Sequence, residues 1–403
     1  MFRQYPRAQT AQQMNTVFAM TQGVFWAGNC MYYAFLVSYL ESIHFSYGLI
    51  GLLTTCNALL GVVLQPMAGY LTDTFLSPKR FLAITISLSI PCTLLLPLLA
   101  GKTWGVFAAV LPLVMLETAM GGVIDSWFVK LRESNPGMSY SRTRAFGSIF
   151  YGVAAYFAGL AISRLGFTVM FSGHMVLQAM LLFLIAALPD SPCVNSPQSE
   201  GNAEKRLGLA GSVKLLLDIP PYVLFLFSAL IFNIGMRSTA TFIPSIVTLK
   251  GGDFADIGLV VAIGAFCEFP IVLLSSRIFR KLKMPLPYVA GAVIMLVRIL
   301  LLIVADNVAV VGLSQLMQSI TSGIYIAFII EYVSKLVPHR ITGTAITVAQ
   351  AVTVGVGSVV GNSLGGILME RLGLPFFLLA NILFVAAGLL IFLPSLLIKK
   401  RQA

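Results

Sequence analysis

FFLLANILFVAAGLLIFLPSLLI, Phe376–Ile398, runs for 23 residues without a charged side chain. A second stretch, FLAITISLSIPCTLLLPLLA at Phe81–Ala100, does so for 20. A helix rises ~1.5 Å per residue, so about 20 apolar residues cross the ~30 Å hydrocarbon layer of a bilayer. Hydrocarbon offers no partner to a peptide group, which restricts a spanning segment to a helix or a closed barrel. A barrel needs alternating segments of about ten residues, and the chain has no such set. These stretches are helices that span a membrane.

Working outward, hydrophobic residues make up 58% of the 403 positions and charged residues only 10%. A water-soluble domain carries about a quarter charged residues, so that class is excluded. Hydropathy predicts twelve spans, near 15–42, 46–72, 80–100, 104–131, 143–163, 167–189, 220–249, 254–279, 285–304, 307–336, 341–369 and 373–398. An even number puts both termini on one side. Nineteen lysines and arginines flank one face, among them Arg3, Arg7, Lys79, Arg80, Lys130, Arg132, Lys335 and Lys399. The other face keeps four: Lys102, Arg164, Lys250 and Arg371. The positive-inside rule therefore predicts cytoplasmic termini. The net charge of +11 is then orientation signal and contact with anionic lipid, and no nucleic-acid partner is expected.

The one long hydrophilic stretch, residues 190–219, is rich in Pro, Ser, Asn and Gly. It reads as a cytoplasmic linker between a first bundle of six spans, residues 1–189, and a second, residues 220–403. An internal repeat supports that division. Gly159-Leu-Ala-Ile-Ser-Arg164-Leu-Gly166 closes span five, and Gly366-Ile-Leu-Met-Glu-Arg371-Leu-Gly373 closes span eleven. Duplicated halves of this kind hold their solute between them. The five cysteines are scattered without a ligand or disulfide spacing, and neither a metal nor a cofactor is expected. Walker, dinucleotide and nucleophile-elbow motifs are missing too, so no enzyme is expected.

After span two the chain reads Gln65-Pro66-Met67-Ala68-Gly69-Tyr70-Leu71-Thr72-Asp73, followed by Lys79-Arg80. Gly69 would allow two helices to approach, Asp73 would accept hydrogen bonds at a neighbouring helix N-terminus, and Lys79 and Arg80 would anchor the loop. This segment resembles the gating loop of the major facilitator superfamily, with one or two extra residues before the basic pair. The resemblance implies an all-α membrane protein with twelve transmembrane helices in two pseudo-symmetric six-helix bundles. Within the superfamily the chain looks most like the oligosaccharide:proton symporter, or lactose permease-like, branch. That likeness rests on Gln65-Pro66, on Gly122–Lys130 with Arg142–Gly147, on Gly291–Ile299 and on Gly365–Gly373.

The branch grips sugar hydroxyls with a carboxylate of span four and an arginine of span five, and stacks an aromatic on the sugar. Asp125, Arg144 and Tyr151 stand at those positions, and Tyr32 matches a further aromatic near the pocket. The chemistry is sound by itself: an Asp–Arg pair in hydrocarbon neutralises itself and still offers directional donors and acceptors. Tyr151 lies seven residues, about two turns, after Arg144 and shares its face. Read without the resemblance, the same pair could be an interhelical ion pair serving structure alone. Asn29 and other amides could line the pocket or join helices.

Coupling to a proton gradient is expected to use Glu268 on span eight, paired with Arg298 on span nine. The span-eight glutamate and span-ten cluster of the branch are replaced here by Ala265, Gln315, Gln318 and Thr321, so its coupling pattern does not transfer. Glu117, ionisable in mid-span, is a further proton-coupling candidate, and Arg237 is a similar charge of open role. His174 reads as structural. The expectation is a monomeric, multi-pass transporter of a bacterial inner membrane that carries a sugar, glycoside or nucleoside with protons. Efflux of amphipathic compounds in exchange for protons is the alternative, and a non-transporting receptor a second one.

Overall fold

The computed structural model describes residues 11–135, 137–190, 214–281, 284, 286–338 and 341–396. Among them, nine helices are long and apolar enough to cross a bilayer. One of the nine, Thr342–Ser395, is two spans broken at Gly373, where φ is 78°. Two further helices complete the set at twelve. The first, Ala11–Asn29 continued through Cys30–Ala34 to Phe35–Ser42, carries Gln12, Gln13, Asn15 and Gln22. The other, Phe254–Lys281, carries Asp256, Glu268 and a basic end. Within the described residues the span limits fall within a few residues of those expected.

Local chemistry sets the ends. Ser46, Ser77 and Asn307 each cap the helix that follows by accepting a backbone N–H three residues on. Gly166 turns span five into span six with φ 77°, and Gly373 turns eleven into twelve with φ 78°. Both close the repeated segment, and a left-handed backbone there suits glycine alone. Spans one and eleven each contain a π-helical turn, Cys30–Ala34 and Ala351–Val356.

The surface is turned inside out relative to a soluble protein. Leu98, Trp104 and Phe183 are each 76% exposed, as a lipid-facing position requires. The side chains of Gln178, Asn233 and Arg298 are buried instead.

The two halves meet along spans five and eight and along spans two and eleven. At the first crossing a Cβ added to Gly159 would stand 2.8 Å from the Gly258 Cα and 2.6 Å from the Phe254 carbonyl oxygen. At the second, a Cβ on Gly51 would stand 2.9 Å from the Gly366 Cα and 2.6 Å from the Asn362 carbonyl oxygen. Backbone therefore touches backbone at both. Ser163 donates to Asp253 at 2.9 Å beside the first crossing, and the Gly48 N–H donates to Glu370 at 2.6 Å beside the second. A hydrogen bond from Ser245 to Glu41 closes the same end. One buried apolar cluster is continuous across the halves here, from Phe35 and Leu36 to Ile243 and Ile246. At the other end, which bears the Lys79 and Lys130 loops, Phe18, Trp127 and Ile185 form a cluster confined to the first six spans. The protein is closed at one end and parted at the other.

The gating loop departs from expectation in two respects. A Cβ on Gly69 would meet nothing within 4 Å, although Ala68 and Thr72 of the same helix are buried against the first half. Asp73 forms an ion pair with Lys130 at 2.8 Å instead of capping a helix. Lys79 donates to the Ala186 and Leu188 carbonyls at 2.8 and 2.7 Å, satisfying the end of span six, while Arg80 is exposed. The expected linker, 190–219, falls mostly on 191–213, outside the described residues.

A side chain at either glycine crossing should force the closed end apart. Gly258→Val is expected to raise the reactivity of a cysteine placed at Ser163 toward a hydrophilic maleimide. Unchanged reactivity would show that the backbone contact does not hold this end shut.

Candidate solute-binding site

A cavity of about 650 Å³ lies between the halves and is walled by both. Spans one, two and five contribute Trp26, Asn29, Tyr33, Asn57, Arg144, Ser148 and Tyr151. Spans seven, eight and ten contribute Arg237, Thr241, Glu268, Gln315, Gln318 and Ser322. A second cavity of about 590 Å³ shares Asn57 and Arg237 with the first. Gln65, Ile329 and Thr347 carry it toward the parted end.

Arg144 is positioned from below. Its guanidinium carbon lies 4.6 Å from the centre of the Trp26 ring, a cation–π contact. Gly147 makes this packing possible: a Cβ there would stand 2.6 Å from Trp26 Cδ1 and 2.9 Å from Arg144 Nη1. The indole N–H of Trp26 donates to Gln22 Oε1 at 3.1 Å, and Gln22 Nε2 donates to Asp125 Oδ1 at 2.6 Å. Asp125 thus supports the arginine through two intermediates and lies within electrostatic range of it. It does not line the cavity and makes no direct ion pair with Arg144. Its helix, Met120–Ser134, turns that side chain toward span one.

Tyr151 and Asn29 reach the cavity, the Tyr151 ring lying 6.4 Å from that of Trp26. Tyr32 does not. Trp26, Asn29 and Tyr33 recur at helical spacing on one face, and Tyr32 lies about 100° around the helix from Tyr33. It is fully buried, with its ring 5.1 Å from Tyr33 and 5.3 Å from His174. Tyr33 takes the place expected of it.

The expected pairing of Glu268 with Arg298 is also corrected. The charges acting on Glu268 are Arg144, from the opposite half, and Arg237. Neither arginine is within ion-pair contact, so the three groups surround open space. Arg298 is buried inside the second half, its Nη1 3.8 Å from Met295 Sδ and its Nε and Nη2 without partners among the described residues. Spans eight and nine each pack on span ten, which separates the two side chains. Glu117 lies in the interior of the first half, hydrogen-bonded to His174 and Gln178.

The cavity therefore presents two guanidinium groups, one carboxylate, four amides and two phenols. Sequence reasoning missed Trp26, Gln22 and Tyr33. The three-residue step from Trp26 to Asn29, opposite an Arg-x-x-Gly segment, is the signal that marks Trp26.

Comparison with known proteins agrees with this architecture. The chain is 22% identical over 359 residues to the uncharacterized transporter YwbF of Bacillus subtilis (strain 168), covering 87% of this chain and 86% of that one. It is 22% identical over 348 residues to the maltose permease of Geobacillus stearothermophilus, covering 86% of each. The crystal structure of the nucleoside transporter NupG superposes with a TM-score of 0.81 at 16% identity, over 96% of this chain and 100% of that one. That last likeness establishes the fold alone. A profile of the MFS_1-like family matches residues 22–379. The chain belongs to that family and is a transporter of the major facilitator superfamily, an integral multi-pass membrane protein.

Proposed function

We propose that the protein carries a neutral, hydroxyl-rich solute, a sugar, glycoside or nucleoside, across a bacterial inner membrane with protons. The observation that carries this reading is the cavity wall, where Arg144 of one half and Glu268 of the other face the same space. Arg144 and Arg237 are balanced by Glu268 and by Asp125 behind the wall, so a neutral solute leaves the charges matched. Guanidinium and carboxylate groups suit paired hydroxyls, and Asn29, Asn57, Gln315 and Gln318 offer both donors and acceptors. Tyr33 and Tyr151 supply flat faces for a sugar ring or base. The volume falls in the range of small-molecule sites, about 300–1,000 Å³. A maltose permease among the similar proteins supports the same solute class.

The geometry supports an alternating-access cycle. The lysine- and arginine-rich end is cytoplasmic in this reading, so the structure is open inward. A solute that contacts both halves favours the arrangement in which the walls are closest, and release favours the parted one. Glu268 is the coupling carboxylate. Ionised, it is held between Arg144 and Arg237. Protonated, it releases both guanidiniums to other partners and becomes a hydrogen-bond donor.

Purified protein in liposomes with an imposed proton gradient, offered a panel of labelled disaccharides and nucleosides, tests the proposal. Accumulation of one class, collapsed by a protonophore, is expected. Accumulation of none, with proton-linked extrusion of an amphipathic dye, would replace uptake with efflux. Glu268→Gln should abolish accumulation and leave equilibrium exchange intact; concentrative uptake by that variant would move the proton elsewhere. Arg144→Lys keeps the charge but loses the planar two-pronged donor and its stacking on Trp26. Apparent solute affinity should fall by about tenfold, or ~1.4 kcal/mol, read as the half-saturating concentration for exchange.

A further inference from the structure

Behind the cavity wall, inside the first half, lies a second ionisable group that the solute site does not use. Glu117 Oε1 accepts from Gln178 Nε2 at 2.7 Å and faces His174 Nε2 at 2.9 Å. The other ring nitrogen of His174, Nδ1, stands 2.9 Å from the Gly28 carbonyl oxygen. The His174 side chain is fully buried and that of Glu117 is 3% exposed. None of the three lines either cavity.

A carbonyl oxygen only accepts, so Nδ1 carries a proton. Nε2 then faces a carboxyl group, and one more proton is shared between them. The pair is imidazolium with carboxylate, or imidazole with carboxylic acid. Both forms are neutral as a unit, which an apolar interior favours. A second proton also has a place to go. Gln178 Oε1 is buried and, among the described residues, has no hydrogen-bond partner. Turning the Gln178 amide over exchanges its donor for this acceptor. The protonated Glu117 then donates to Gln178 Oε1, while His174 stays an imidazolium bonded to Gly28 and Glu117.

Tyr33 stands between the two: it lines the solute cavity, and its phenol is within electrostatic range of Glu117. The titratable groups facing the pair are Tyr32 and Tyr33 of span one and Cys92 of span three. Phenols and thiols are neutral at physiological pH in apolar surroundings. Among the described residues, Glu117 is the one charged group acting on His174. The site also adjoins the π-helical turn Cys30–Ala34 and the carbonyl of Gly28, so its protonation bears directly on span one.

We propose that Glu117, His174 and Gln178 form a proton-binding site outside the solute cavity, reached from it through Tyr33. Its use in transport rests on the reading above, but its existence does not. The test therefore uses full-length protein in lipid nanodiscs with no solute. The chain has three histidines, so nitrogen-15 labelling of histidine, with His44→Gln and His339→Gln for assignment, isolates His174. From alkaline to acid pH the site takes up the shared proton and then the second, so the Nε2 signal should shift while Nδ1 stays protonated. Infrared difference spectra between alkaline and acid pH should contain a buried protonated-carboxyl component that Glu117→Gln removes, distinct from the component that Glu268→Gln removes. Tyr33→Phe should slow hydrogen–deuterium exchange at Nε2. A His174 signal independent of pH in the wild-type protein, which needs no substitution to fold, would overturn the proposal. So would a carboxyl spectrum in which Glu117→Gln removes no component. Exchange unchanged in Tyr33→Phe would overturn the route.

Discussion

Two contacts in which backbone meets backbone, Gly159 on Gly258 and Gly51 on Gly366, hold the rest of the arrangement in place. Between helices in lipid the hydrophobic effect gives no net pull, so close packing and hydrogen bonds must supply it. Glycine allows the approach, and the hydrogen bonds Ser163–Asp253 and Gly48–Glu370 lie beside the two crossings. Because both crossings sit at one end, the halves splay at the other. The solute cavity and its continuation between spans two, four, ten and eleven are the space left by that splay.

The same geometry explains how charges survive in the membrane interior. Arg144 rests on Trp26 and is tied through Gln22 to Asp125, so its guanidinium is held without a direct ion pair and remains free to bind. Glu268 faces it from the other half, and Arg237 stands where the two cavities meet. An ion pair made directly would be satisfied already and would offer little to a ligand. Groups held a short distance apart are satisfied best when something polar lies between them.

Much of this was legible in the sequence. Uncharged runs such as Phe376–Ile398 fix the spans because hydrocarbon thickness dictates length. The placement of Arg144 and Tyr151 on one cavity-facing surface follows from helical spacing within one span. What was not legible depends on how separate helices are rotated against each other. Nothing local distinguishes Tyr32 from Tyr33, though only the second faces the cavity. Glu268 and Arg298 are both charges on successive spans, yet span ten lies between them and Glu268 faces Arg144 of the other half across open space. Gly69 stands in open space while Ala68 and Thr72 make the buried contacts of that helix. His174 gave no sign of Glu117, which lies 57 positions away in sequence and one hydrogen bond away in space.

The central claim is that one solute is held from both halves at once, between Arg144 and Glu268. Its most direct test is a cryo-electron microscopy structure of the protein with the sugar or nucleoside that the vesicle panel selects. The account predicts ligand density within hydrogen-bonding distance of both side chains, with a ring against Tyr33 or Tyr151. Density confined to one half, or lodged in the second cavity away from Arg144, would contradict it.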